Sequence, residues 1–260
     1  MRRVPPPGAA PGPDETLDQL IGDWWIFQLR GGHRFSTDDM LCAWRAAVVR
    51  PSATRLLDLG CGIGSVGLYT LGLLNNPEAN LVGVEAQEVS VGLVRRSIDR
   101  NGLAERVRVH LGDLRDTSML GDATFELITG SPPYIPPGKG LLSPHPQRAH
   151  CRIELRGDVV DYCHAARRHL APGGRFTFVM AAADPRIQRG VDEAGFRMVE
   201  RLDVVFRDGS APLISVVTVG LADEVDGPPE LLSLTIRESD GRMTETYAAL
   251  RASMGFSVER

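Results

Sequence analysis

The sequence predicts an α/β protein: five parallel strands linked by helices, closed by an antiparallel pair of final strands, with helices on both faces of the sheet. Three stretches carry that expectation. Arg55-Leu56-Leu57-Asp58-Leu59 reads as a buried strand running into Gly60-Cys61-Gly62-Ile63-Gly64 and then a helix. About 20 residues beyond Gly64, the apolar run Leu81-Val82-Gly83-Val84 ends in Glu85. Phe125-Glu126-Leu127-Ile128-Thr129-Gly130 reads as a fourth strand that delivers Ser131-Pro132-Pro133-Tyr134 to the same edge of the sheet.

The glycine turn has to bend sharply and let a ligand touch the backbone, which glycine permits through positive φ and the absence of a Cβ. From Ser65 the pattern becomes helical, with Val66, Tyr69 and Leu73 on one face, so a helix N-terminus points its free N–H groups at the occupant. Gly62-Ile63-Gly64-Ser65-Val66-Gly67 satisfies the dinucleotide spacing G-x-G-x-x-G. The strand closes at Gly60, however, with Asp58 near its end. An acid beside a pyrophosphate is repelled, whereas beside the ammonium of an amino acid it is attracted. Asp58 therefore favours S-adenosylmethionine, which carries an amino-acid end and no phosphate. On this reading Gly60, Cys61, Gly62 and Gly64 form the floor of the site. Glu85, with Ala86 beside it, stands where a carboxylate accepts from ribose hydroxyls. Asp113, after the alternating strand residues Val107, Val109 and Leu111, is placed with Leu114 to accept from the adenine amino group.

Composition narrows the class. Of 260 residues 43% are apolar, enough for a real core, and one α/β domain with short additions is the simplest organisation. Residues 1–14 are expected to form a flexible tail, rich in Pro, Gly and Ala and without the apolar run of a signal peptide. No stretch approaches the roughly 18 uninterrupted apolar residues of a membrane span, so a soluble protein is expected. Cys42, Cys61, Cys151 and Cys163 show no C-x-x-C spacing, which points to reduced thiols in the cytoplasm and no metal site. A net charge of -4 excludes a uniformly basic nucleic-acid binder and leaves room for a local positive patch, for which Arg30, Arg34, Lys139, Arg148 and Arg152 lie in suitable segments.

Residues 15–50 read as an N-terminal cap, a helical preface to the first strand. Thr37 or Asp38 can cap a helix carrying Met40, Leu41, Trp44 and Val48, and both can face the amino-acid end of the cofactor. After Glu85, a helix with Val91, Val94 and Ile98 on one face stops at Asn101-Gly102. In Ser131-Pro132-Pro133-Tyr134, proline fixes φ and leaves carbonyls without a neighbouring N–H. The lone pair of an exocyclic amine such as adenine N6 is delocalised into its ring. Two acceptors aimed at its hydrogens, the Pro132 carbonyl and the Ser131 hydroxyl, favour the pyramidal form that can attack a methyl sulfonium. Tyr134 offers a ring on which a flipped-out base stacks.

With these motifs the chain resembles the class I S-adenosylmethionine-dependent methyltransferases that carry an (N/D/S)-P-P-Y motif. More closely it is similar to the TrmN-type tRNA(Val) adenine-N6 methyltransferases over residues 25–250. The likeness rests on Arg34-Phe35-Ser36-Thr37-Asp38, on residues 58–64, on Glu85, Gly112-Asp113 and Ser131-Pro132-Pro133-Tyr134, and on residues 148–154. It implies a Rossmann-like, seven-stranded sheet and a cytoplasmic enzyme of RNA modification. It implies Ser131, Pro132, Pro133 and Tyr134 as the catalytic residues, Ser131 as a cofactor contact as well, and Tyr134, Lys139, Arg148 and Arg152 as substrate contacts. One departure matters: that family usually has Asn where Ser131 stands, and Ser there is familiar from enzymes methylating cytosine N4. The release-factor glutamine methyltransferases share the proline motif and act on another planar nitrogen, so a protein substrate stays open.

The catalytic domain is expected over residues 51–221. Residues 153–170 read as a helix, 172–174 as a turn, 176–180 as a strand and 185–194 as a helix ended by Gly195. Residues 196–206 and 213–219 read as the paired final strands, the latter buried on both faces. Residues 222–260 are expected to add an appendage.

Overall fold

A computed structural model describes residues 8–136, 138–139 and 145–256. The chain opens with a hairpin of β1 (Glu15–Ile21) and β2 (Trp24–Leu29), which turns at Gly22 with φ +52. Only then comes α1 (Thr37–Val49). The preface is thus helical in its second half alone. The hairpin owes its order to what it packs on: Phe27 N donates to Ser97 Oγ at 3.0 Å, Trp25 N donates to Asn101 Oδ1 at 2.8 Å, and the Arg96 guanidinium lies 4.1 Å from the Phe27 ring centroid.

The main sheet follows. β3 (Arg55–Leu59), β4 (Asn80–Glu85), β5 (Val107–Leu111), β6 (Phe125–Gly130) and β7 (Leu170–Ala181) are parallel. β9 (Ile214–Leu221) runs antiparallel between β7 and β8 (Phe196–Val205). Those seven strands are the expected sheet. β10 (Glu230–Thr235) adds an eighth, pairing parallel to β8 at the edge, to give the order β10-β8-β9-β7-β6-β3-β4-β5. Seven of the eight β9 residues are buried, as a continuous apolar run requires.

The helices cover both faces. α1, α2 (Ser65–Leu74) and α3 (Glu88–Arg100) pack into one core cluster with the hairpin, and α5 (Val159–His169) and α6 (Arg186–Glu193) into the other. The stretch read as one helix over residues 153–170 is helical only over Val159–His169, and a separate short helix precedes it. α4 (Pro146–Arg152) ends at Ile153, and α5 starts anew where Asp158 accepts from Val160 N and Asp161 N. Gly157, at φ +110, supplies the break. α7 (Glu245–Ser253) docks on the first cluster through Tyr247, which is 2% exposed. Among the described residues no helix is long and apolar enough to cross a membrane, and no group of His, Cys, Asp and Glu is arranged to hold a metal ion. The four cysteines are free thiols.

Candidate active site

The carboxyl ends of β3, β4 and β6 meet at the glycine turn, where an open-sheet fold places its ligand. Gly60 and Gly62 have φ +60 and +55, and Gly64, at +88, caps α2. A Cβ on Gly60 would stand 2.0 Å from Tyr162 Oη, so the close approach of α5 demands glycine there. The turn is stitched to β4: Cys61 N donates to Val84 O at 2.9 Å, and Gly62 N to Glu85 Oε2 at 2.9 Å. Glu85 Oε1 also accepts from Gln87 N at 2.6 Å. Burial pushes the Glu85 carboxyl above its usual range against the pull of these two N–H donors.

Above the turn lies an open cleft whose free space, its mouth included, is about 870 Å³. Of the residues expected to bind a cofactor, Asp58, Gly60, Cys61, Gly62, Glu85, Ala86, Asp113, Leu114 and Ser131 line it. Gly64, Thr37 and Asp38 do not. Thr37 Oγ1 is hydrogen-bonded to Tyr247 Oη at 3.2 Å, and Asp38 Oδ2 accepts from Tyr134 Oη at 3.1 Å. The acid that does line the cleft from α1 is Asp39, whose Oδ2 accepts from Ser36 N at 3.0 Å and Ser65 Oγ at 3.1 Å. Ser36, not Thr37 or Asp38, is the N-cap. The acid three residues after a serine was the signal that would have found Asp39.

Asp39 and Asp58 are both deeply buried at 3% and 0% exposure. Asp58 accepts from Thr129 Oγ1 at 2.7 Å and Gly67 N at 2.9 Å, so it also ties β6 and α2 to β3. Burial raises its carboxyl to about 7 and that of Asp39 to about 6. At the far end of the cleft Asp113 stays below its usual range because Arg115 bonds it at 2.9 and 2.6 Å. Arg156 donates to the Ala86 carbonyl, and Arg168 to that of Leu114 at 2.7 Å.

In the loop that follows β6, Ser131 and Pro133 line the cleft and Pro132 is buried. Tyr134 is half-buried, packed on both core clusters. Lys139, Arg148 and Arg152 are exposed, the two arginines on α4. His33, which sequence reasoning passed over, also lines the cleft; its N–H is held at 2.9 Å by the buried Gln147. Burial pushes its imidazole down; Asp38 opposes this, and Arg148 and Arg152 reinforce it.

Residues 45–142 match the model of the methyltransferase small domain family. A predicted O-methyltransferase from Agrobacterium tumefaciens has the same fold, with a TM-score of 0.58 at 19% identity over 84% of this chain and 97% of that one. The chain has the class I methyltransferase fold and is an S-adenosylmethionine-dependent methyltransferase. Its cleft fits that cofactor: two buried carboxylates suit a cationic amino-acid end, and Glu85 lines the wall at the end of β4. The methyltransferase is 28% identical to the tRNA1(Val) (adenine(37)-N6)-methyltransferase of Dickeya chrysanthemi over 86% of this chain and 88% of the relative. It is 35% identical to the release factor glutamine methyltransferase of Geobacter sulfurreducens over 48% of this chain and 44% of that protein.

Proposed function

We propose that the methyltransferase modifies the N6 amine of an adenine in tRNA, working in the cytoplasm. The observation that carries this reading is the extent of likeness. The match to the tRNA adenine enzyme covers 86% of this chain and 88% of that relative, whereas the match to the glutamine enzyme spans under half of either chain. Bound S-adenosylmethionine supplies a methyl group on a positively charged sulfonium. Asp39 and Asp58 would hold its amino-acid end, Glu85 its ribose hydroxyls, and Asp113 and Leu114 its adenine. For Asp113 this means sharing a carboxylate already engaged by Arg115.

Catalysis then falls to positioning. The Ser131 hydroxyl and the Pro132 carbonyl accept from the two hydrogens of the target amine, freeing its lone pair for the methyl carbon. Because a hydroxyl is shorter than a carboxamide and also donates, Ser131 leaves more of that work to Pro132. Tyr134 gives the flipped base a ring to stack on. Exposed Lys139, Arg148 and Arg152 would attract the RNA backbone, which a net charge of -4 would otherwise repel.

Incubation with labelled S-adenosylmethionine and separated RNA, DNA and protein pools, followed by nucleoside analysis, tests the assignment. N6-methyladenine in tRNA is the expected product. N4-methylcytosine, or label in protein alone, would overturn the adenine reading and leave fold and cofactor in place.

A further inference from the structure

The start of α1 sends three consecutive side chains to three different elements. Thr37 reaches Tyr247 on α7, Asp38 takes the Tyr134 hydroxyl, and Asp39 joins Ser36 and Ser65 beneath the cleft. Of the three, only Asp39 lines the cleft. Asp38 instead faces the catalytic loop, and that loop is short of other anchors. Pro132 and Pro133 have no N–H to donate. Among the described residues the loop is next tied at Ile135, whose N–H donates to Arg152 O at 3.0 Å and whose carbonyl accepts from Glu154 N at 3.1 Å. Between Gly130 at the end of β6 and Ile135, the hydroxyl of Tyr134 is the side-chain bond that pins the loop to the body of the protein.

We propose that Asp38 is a positioning residue for methyl transfer: its carboxylate holds Tyr134 by the hydroxyl, fixing the ring beside Ser131 and Pro133, where the acceptor amine must enter the cleft. A hydrogen bond to a carboxylate is among the stronger and more directional ones available, and here both partners are half-buried. The ring therefore presents its face at a set angle, and the acceptors on Ser131 and Pro132 keep their aim on the amine. Phenylalanine at 134 would keep the π-face and lose the pin, leaving the half-buried carboxylate without that donor.

A double-mutant cycle on single-turnover methyl transfer tests this, with S-adenosylhomocysteine affinity measured on every variant. Asp38→Ala and Tyr134→Phe should each slow transfer by about tenfold, the worth of one such bond, and the double variant should be no slower than either single one. Asp38→Asn keeps an acceptor and should stay within about threefold of the native rate. Cofactor affinity should not change in any of them. Multiplying losses, or an Asp38→Ala effect that falls on cofactor affinity, would overturn the proposal and return Asp38 to the cofactor.

The rate measurements rest on the amine-methyltransferase reading, so hydrogen exchange provides a measurement that does not. Asp38→Ala should speed exchange at the Ser131, Tyr134 and Ile135 amides and leave β3 and β4 unchanged. Tyr134→Phe should do the same at Ser131 and Ile135, which keeps the test available if Asp38→Ala fails to fold. Unaltered exchange in that segment would refute the pin. A native enzyme that methylates no RNA yet shows the exchange change would overturn the substrate assignment alone.

Discussion

Replacing Asp39 with asparagine should stabilise the cofactor-free methyltransferase and weaken its hold on the cofactor. The side chain is 3% exposed, and burial lifts its carboxyl from 3.8 to about 6. A carboxyl whose folded value exceeds its unfolded one binds protons more readily when folded. Stability is therefore fully present below pH ~4 and is lost as the pH rises toward the folded value near 6. At ~1.4 kcal/mol per unit, the ionised Asp39 costs on the order of 3 kcal/mol at pH 8 and about half that at pH 5. Asparagine avoids the cost and can still accept from Ser36 N and Ser65 Oγ, because both bonds fall on the single oxygen Oδ2. For a chain of this size, 3 kcal/mol is roughly 6–12 °C in Tm. Asp113 and Asp184, held low by Arg115 and Arg186, lose their contributions only below pH ~4 and do not disturb the comparison. Thermal melts of both proteins from pH 5 to 8 should show the variant melting higher, by a margin that widens with pH. Calorimetry at pH 8 should show weaker cofactor binding, since the ammonium has lost a partner. A variant that melts no higher than the native protein at pH 8, or whose margin shrinks as pH rises, would refute the reasoning.

Glu85→Ala should weaken S-adenosylhomocysteine binding by about 1–3 kcal/mol, because ribose hydroxyls lose a charged acceptor and Gly62 N and Gln87 N lose theirs; calorimetry showing tight NAD binding in the native protein instead would overturn the assignment. Tyr134→Ala should depress methyl transfer by about 10- to 100-fold through lost stacking while cofactor affinity holds; a fall in Tm parallel to activity would mean that the ring only packs. Glu200→Ala should cost about 3–5 kcal/mol in denaturant unfolding by stranding Arg45, which donates from Nε to Glu200 Oε1 at 2.8 Å in the buried contact of α1 with the sheet; a loss below about 1 kcal/mol would show that water reaches the pair.

The features legible in the sequence are those whose cause is local. Leu56, Leu57 and Leu59 make a strand by their own apolarity, and Asn101-Gly102 and Gly195 stop helices by their own φ preference. Parallel strands linked by helices and closed by an antiparallel pair followed from the alternation of strand and helix patterns along the chain, whereas the order of the strands in the sheet is set by the tertiary structure. The glycine turn, Glu85 and the Ser131-Pro132-Pro133-Tyr134 loop were legible because each sits where a strand ends, and strand ends converge on one edge. The hairpin of β1 and β2 was not: its partners are Arg96 and Ser97 on α3 and Asn101 at that helix's C-cap, some 70 to 80 residues away. The start of α5 at Val159 rather than at residue 153 turned on Gly157, at φ +110, and on the Asp158 cap. The finest distinction lay at the start of α1. Thr37, Asp38 and Asp39 are adjacent polar residues with similar local chemistry, and a helix turns each by about 100° from the last. Which of them meets α7, which the catalytic loop and which the cofactor cleft depends on the elements packed around that turn, so only the tertiary structure assigns Asp39 to the cleft and Asp38 to Tyr134.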